Sequence, residues 1–274
     1  MTTRRAELLL GALLTAGTAA ADCAPDGHDV LAEVRARGSL RVAHTNDYRP
    51  FSFSDAQQTP TGIDADLARR LAQSLDVSLV WVDTTWSTLT DDLRANRYDI
   101  AMSGVSITVE RATVGCFSRP YFSTGKTALT RCASPRSFTT LAQIDSPDVT
   151  VIVNRGGTNE RFVHEHLPHA RTLVRDDNRT VFRALAAGEA DVMITDAVEA
   201  QLEAAADPAL CVADPAPIFE RVEKAYLIPK DAAWQAWLDA WLARLEASGE
   251  LAAVTSRYLS GKKSAATPKP GVPE

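Results

Sequence analysis

Asp196 and Glu199 lie three residues apart where a helix is expected to start, so their carboxyls share one face. One buried carboxylate can hold a cation. A second beside it is unfavourable in a closed site unless it carries a proton. Burial and the charges of Asp196 and Asp47 are expected to raise the Glu199 pKa, which makes Glu199 a proton donor near neutral pH. Arg111 offers the complementary chemistry, because a planar guanidinium makes two parallel hydrogen bonds to a carboxylate. Gly156-Gly157-Thr158 opens a helix whose free N–H groups and dipole favour an anion. Asp47 precedes a Tyr and a Pro, where an aspartate also serves simply to cap a turn. His164, His166 and His169 resemble a metal cluster only in spacing; beside Pro168 they read as an exposed helix end, and no metal or cofactor is expected.

These residues need elements to bring them together. Ser39 to Ala43 alternates as a strand does, as do Leu79 to Val82 and Tyr98 to Met102. Between them, Asp64 to Leu75 and Thr88 to Asn96 have helical spacing, after a lead helix from Asp29 to Arg37. The alternation then restarts. Val149 to Val153, Thr172 to Val174 and Ala190 to Thr195 are strands; Thr158 to His166, Thr180 to Ala187 and Ala197 to Ala205 are helices. Alternation of this kind predicts a mainly parallel α/β architecture in two similar lobes. Extended crossings are expected near Lys126 to Thr130 and near Lys224 to Ile228, the second returning the chain to the first lobe. There Trp234 to Leu245 forms a C-terminal helix with Trp237, Trp241 and Leu245 at core spacing. Ligand sites in α/β lobes sit at the carboxyl ends of strands. Asp47, Arg111, Gly156 to Thr158, Asp196 and Glu199 all fall in runs that follow a strand.

The strand-end runs are Thr45 to Phe51, Ser103 to Arg111, Asn154 to Glu160 and Asp196 to Glu199. In this order they resemble the extracellular solute-binding family for polar amino acids, from about Gly38 to Leu259. The resemblance implies a two-lobed periplasmic-binding-protein-like fold (type II). Lobe one would hold 22–127 and 222–259, lobe two 128–221, and 260–274 would be a disordered tail. It also implies that Arg111 clamps a ligand carboxylate with Ser103, Gly104, Ser106, Gly157 and Thr158 near it. Asp196 would receive an ammonium, Tyr48 would line the cleft, and Trp86 would face a ring. A narrower likeness, to periplasmic cyclohexadienyl dehydratases, rests on Thr85-Trp86, Ala101 to Ile107, Gly125-Lys-Thr127, Val153 to Glu160, Thr195 to Ala200 and Glu223 to Leu227. It implies that Glu199 is the general acid, that Lys126 assists, and that Asp47, Trp86, Arg111, Asn154, Thr158 and Asp196 line the site. The substrates implied are prephenate and arogenate, and the preference between them is open. Arg155 and Cys116 depart from the expected pattern. The rival class is a plain amino-acid-binding component of a transporter, for which Glu199 and Lys126 are one acid and one base too many.

Composition agrees with an exported protein acting on a small molecule. Arg4 and Arg5, the apolar run Leu8 to Ala20 and the small residues at 19–21 read as a cleaved signal peptide. No later apolar stretch is long enough to span a bilayer. The whole chain carries 29 basic and 35 acidic residues, and without residues 1–21 it carries 27 and 34. That balance, with no basic cluster, excludes nucleic acid as a natural partner. Export permits disulfides among Cys23, Cys116, Cys132 and Cys211. Cys132 and Cys211 are expected to pair, both lying in lobe two beside the crossings; Cys23 and Cys116 stay unassigned, and oligomeric state is open.

Overall fold

The computed structural model describes Cys23, Gly27, residues 29–134 and residues 136–260. The leader expected at 1–21 and the tail beyond Ser260 lie outside the described residues. Two sheets carry the fold. The first has the order Ser78–Asp83, Ser39–His44, Ile100–Ala101, Leu227–Ile228, Cys116–Phe117. Its first three strands are parallel, and the last two join antiparallel. The second has Arg171–Arg175, Thr150–Asn154 and Val192–Asp196 in parallel, then the long strand Phe122–Arg131 running the other way. Leu210–Val212 and Glu220–Lys224 both pair antiparallel with that long strand. The sheets are therefore more mixed than the strand–helix alternation predicts.

The second sheet shows why its strands read as continuous apolar runs. Val151, Val153, Val192 and Ile194 pack on one face with Phe162 and Val163. Ile152, Met193 and Leu129 pack on the other with Val181 and Leu185. A strand covered by helices on both faces cannot alternate with polar residues. In the first lobe, Ile63, Leu67 and Leu71 recur every four residues along Ile63–Ser74 and are fully buried. The C-terminal helix Ala232–Ala247 starts at Asp231, whose carboxylate accepts from the N–H groups of Ala233 and Trp234. It buries Trp234, Leu238, Trp241 and Leu245, each worth about 1.5–3 kcal/mol of transfer free energy. Trp237 is half-buried and stacks on Trp234, with ring centroids 5.6 Å apart.

The first crossing lies elsewhere than the sequence suggests, whereas the second falls where expected, between Lys224 in the second sheet and Leu227 in the first. Lys126 to Thr130 are already inside the second sheet, with Asp196 opposite Lys126 and Val192 opposite Thr130. Phe122 to Lys126 pair with Glu220 to Lys224, so the chain enters and leaves the second sheet on one two-stranded ribbon. The lobe limits expected at 127/128 and 221/222 thus fall within paired strands. An extended segment gives the same sequence signal whether it bridges two sheets or completes one. Disulfides join Cys132 to Cys211 and Cys23 to Cys116. No helix among the described residues is long and apolar enough to cross a membrane.

Candidate active site

The strand ends of both sheets meet around a cavity of about 20 Å³. Tyr48, Trp86, Gly104, Ser106, Arg111, Asn154, Gly157, Thr158 and Asp196 line it, as do two residues the sequence reading did not single out, Asn178 and Lys224. Asp47, Lys126 and Glu199 stand behind this wall. Ser103 does not face the cleft. Its fully buried hydroxyl accepts from Thr45 N–H at 2.9 Å and fastens the first strand to the loop after Ile100–Ala101.

Arg111 forms the cationic end. It lies on the short helix Val109–Val114, capped by Thr108, whose hydroxyl accepts from Arg111 N–H. The side chain is buried, donates from Nη1 to Ser106 O at 3.0 Å and lies 5.7 Å from the Trp86 ring. Among the described residues it makes no ion pair. Burial, and then the charge of Arg161, bring its pKa down to about 10, which leaves it cationic at neutral pH. A buried guanidinium with one carbonyl partner has donors to offer a carboxylate. Gly104 N–H does not add to this set, because it donates to the buried Asp64 carboxylate. Gly104 has φ +62°, and a Cβ there would come within 2.7 Å of Tyr48 and 2.6 Å of Phe51, so only glycine fits.

The acidic end is built from two carboxyls with opposite environments. Asp196 ends Val192–Asp196 and is met by Lys224 Nζ at 2.6 Å, Lys126 Nζ at 3.0 Å and the Tyr48 hydroxyl. Burial raises its pKa, but the two lysines outweigh burial and hold it well below the ordinary range. Lys126 Nζ hydrogen-bonds to Thr158 Oγ1 at 2.9 Å and Asn159 Oδ1 at 2.5 Å. Its approach to Asp196 Oδ1 is off the hydrogen-bonding direction, and that oxygen has no hydrogen-bond donor among the described residues. Lys126 is therefore engaged by Thr158, Asn159 and Asp196 within its own lobe.

Glu199 has no ion-pair partner among the described residues. It is 1% exposed and held by Asn178 Nδ2 at 2.9 Å and by the Thr195 hydroxyl one helical turn away. Burial, with the charges of Asp196 and Glu203, pushes its pKa up to about 8 against the hydrogen bonds from Thr195 and Asn178. Asp47, also pushed up by burial, to about 6, accepts from Trp86 Nε1 at 3.1 Å. Asn178 also donates to Asp47 O at 3.1 Å, so one amide ties Glu199 to the short strand Asp47–Tyr48 that follows Ser39–His44. Buried cations thus face a buried neutral carboxyl, an arrangement that can bind an anion and deliver a proton. The sequence hid Asn178 because Asp177-Asn178 reads as a turn, and Asp177 does cap the helix Asn178–Ala186. Lys224 had a readable signal. Val222 and Lys224 sit at alternate positions on Glu220–Lys224 and are both buried, whereas a lysine in a strand ordinarily marks the solvent face.

The sequence pattern of bacterial extracellular solute-binding proteins, family 3, matches residues 40–261. Over 214 residues the chain is 49% identical to a cyclohexadienyl dehydratase of Pseudomonas aeruginosa, covering 78% of this chain and 80% of that one. It is 28% identical to an L-cystine-binding protein of Escherichia coli, over 70% of this chain and 71% of that one. Among solved structures it resembles an ancestral amino acid-binding protein, a precursor of cyclohexadienyl dehydratase. That match has a TM-score of 0.79 and 34% identity, over 84% of this chain and 99% of the other.

Proposed function

The chain belongs to the bacterial extracellular solute-binding proteins, family 3, and we propose that its cleft is the active site of a cyclohexadienyl dehydratase exported to the periplasm. The observation that carries this reading is Glu199. A binding site for an amino acid has use for one carboxylate, and here Asp196 takes both lysines while Glu199 remains buried with no ion pair among the described residues. Such a group is unfavourable as an anion and useful as an acid. The 49% identity to a curated dehydratase supports the same conclusion.

The substrate class is a cyclohexadienyl dicarboxylate, prephenate or arogenate. Arg111 holds one carboxylate in a bidentate pair. Two lysines against Asp196 leave one positive charge to attract the other, and Trp86 and Tyr48 pack against the ring. Glu199 gives its proton to the ring hydroxyl as the C–O bond breaks, and water leaves. The ring carboxylate departs as CO₂, its bonding pair enters the ring, and aromatisation drives the step. Glu199, left as a carboxylate, regains its proton from water. Prephenate yields phenylpyruvate, and arogenate yields phenylalanine. The direct test is incubation of purified protein with prephenate while phenylpyruvate is followed by its absorbance in alkali. Turnover that depends on Glu199 supports the reading. Binding without turnover returns the chain to the solute-binding class.

A further inference from the structure

We propose that the pocket behind Glu199 is a proton inlet, by which Glu203 restores the proton of Glu199 from solvent while the cleft stays closed over its product. This rests on the dehydratase reading and adds to it the route by which the acid is reloaded. Glu199 does not line the central cavity. It lines a second cavity of about 450 Å³, bounded by residues between 46 and 58 and by the helices Asn178–Ala186 and Ala197–Ala206. Asn178 joins the two spaces: it lines the central cavity and donates to Glu199 Oε1 at 2.9 Å. Around the second cavity Arg49, Arg179 and Arg183 are exposed, Glu203 is half-buried and Glu199 is buried. Exposure thus falls from an arginine rim, past one acid, to the other.

Glu199 and Glu203 lie one turn apart on Ala197–Ala206, and both line this cavity, so their carboxyls share a face. Burial raises the Glu203 pKa, with the charge of Arg49 opposing and that of Asp207 adding. A carboxyl so placed keeps a proton more readily than an exposed one and can pass it on. Once Glu199 has protonated the leaving hydroxyl it is a carboxylate. The Glu203 carboxyl then gives its proton to a solvent water, and that water gives one of its own to Glu199. The Glu203 carboxylate takes a proton from solvent at the rim. No step needs the lobes to part. Glu203 touches no substrate and acts through Glu199 alone.

The test compares wild type with Glu203→Gln, which keeps the shape without an acid, and Glu203→Asp, which keeps an acid. Loss of CO₂ is irreversible and precedes reloading, so slow reloading lowers kcat and leaves kcat/KM unchanged. In Glu203→Gln, kcat for prephenate should fall by about tenfold or more while kcat/KM holds, and imidazolium buffer should raise kcat again. Glu203→Asp should keep most of the wild-type kcat. Equal falls in kcat and kcat/KM, or a kcat untouched by the glutamine, overturn the proposal. The second readout needs no turnover. Below the raised Glu199 pKa, infrared spectroscopy follows the C=O stretch of the Glu199 carboxyl after transfer to heavy water, the band being assigned by its loss in Glu199→Gln. With phenylpyruvate bound, the wild-type band should shift as fast as in the free protein, and Glu203→Gln should slow it by about tenfold. A wild-type band that phenylpyruvate protects from exchange overturns the inlet. A wild type inactive on prephenate contradicts the dehydratase reading, while exchange at Glu199 still judges the inlet.

Discussion

Replacing Arg111 with methionine keeps the bulk of the side chain and removes the buried guanidinium, which on the proposed function is the bidentate partner of a ligand carboxylate. The expected loss is roughly 3 kcal/mol of affinity or more, on the order of a hundredfold in Kd, read by calorimetry with phenylpyruvate. Near-normal affinity would show that another group holds the carboxylate. Glu199 makes a second prediction, about stability. Its pKa is about 8 when folded, against an ordinary 4.5. Between those values the folded state binds more protons than the unfolded, so stability falls as pH rises through the window. Glu199→Gln removes that penalty. It should be more stable than wild type by a margin that grows from pH 5 to pH 8, reaching on the order of 2 kcal/mol. Urea titrations at three pH values check this, and a constant margin would place the folded pKa outside the window. Glu199 and Asp196 were legible in the sequence because three residues separate them on a helix start. The two lysines around Asp196 were not, since a salt-bridge partner from a distant strand leaves no local pattern.

The elements matter through where their ends meet. Gly156 opens the turn before the helix Thr158–His166 with φ +75°, and a Cβ there would lie 2.5 Å from Ser87 N and 2.6 Å from Ser87 Cα. Ser87 follows the strand Ser78–Asp83 of the first sheet, so this glycine is where two strand-end loops of opposite lobes touch. Gly156→Ala removes no polar side chain, yet it should hold the lobes apart. We expect kcat/KM for prephenate to fall by about tenfold to a hundredfold, since misplaced groups sacrifice the orientation that a closed site supplies. Solution scattering with phenylpyruvate bound should show a larger radius of gyration than wild type. Unchanged kinetics and scattering would mean that the loops part easily at this point. The helix Thr158–His166 and the strands around it were readable from periodicity alone. The ribbon of Phe122–Lys126 with Glu220–Lys224 was not, because antiparallel pairing across about a hundred residues follows from the closed fold and not from either segment.

At the scale of the molecule, two bridges reinforce the two lobes separately. Cys132–Cys211 spans 79 residues of the second lobe, and Cys23–Cys116 ties the start of the described chain to an edge strand of the first sheet. Loss of the first through Cys132→Ser with Cys211→Ser should lower stability by about 4 kcal/mol in the chain-entropy model, measured by denaturant unfolding. No change would mean that the second sheet is already pinned by its strand pairing. The central cavity of about 20 Å³ holds roughly one water, so on the dehydratase reading a ten-carbon substrate enters only when the lobes separate and the wall of Tyr48, Trp86 and Lys224 gives way. On the dehydratase reading, closure removes water from around Arg111 and Glu199 as the proton passes from Glu199 to the ring hydroxyl. The most direct test of this account measures prephenate turnover by wild type and Glu199→Gln across pH, with phenylpyruvate binding followed in parallel. The account predicts that wild-type kcat falls as pH rises through the elevated Glu199 pKa. It also predicts that Glu199→Gln loses about 10² to 10⁴ in kcat and the pH arm with it, while still binding phenylpyruvate. Wild-type turnover that is flat with pH and retained in Glu199→Gln would contradict it.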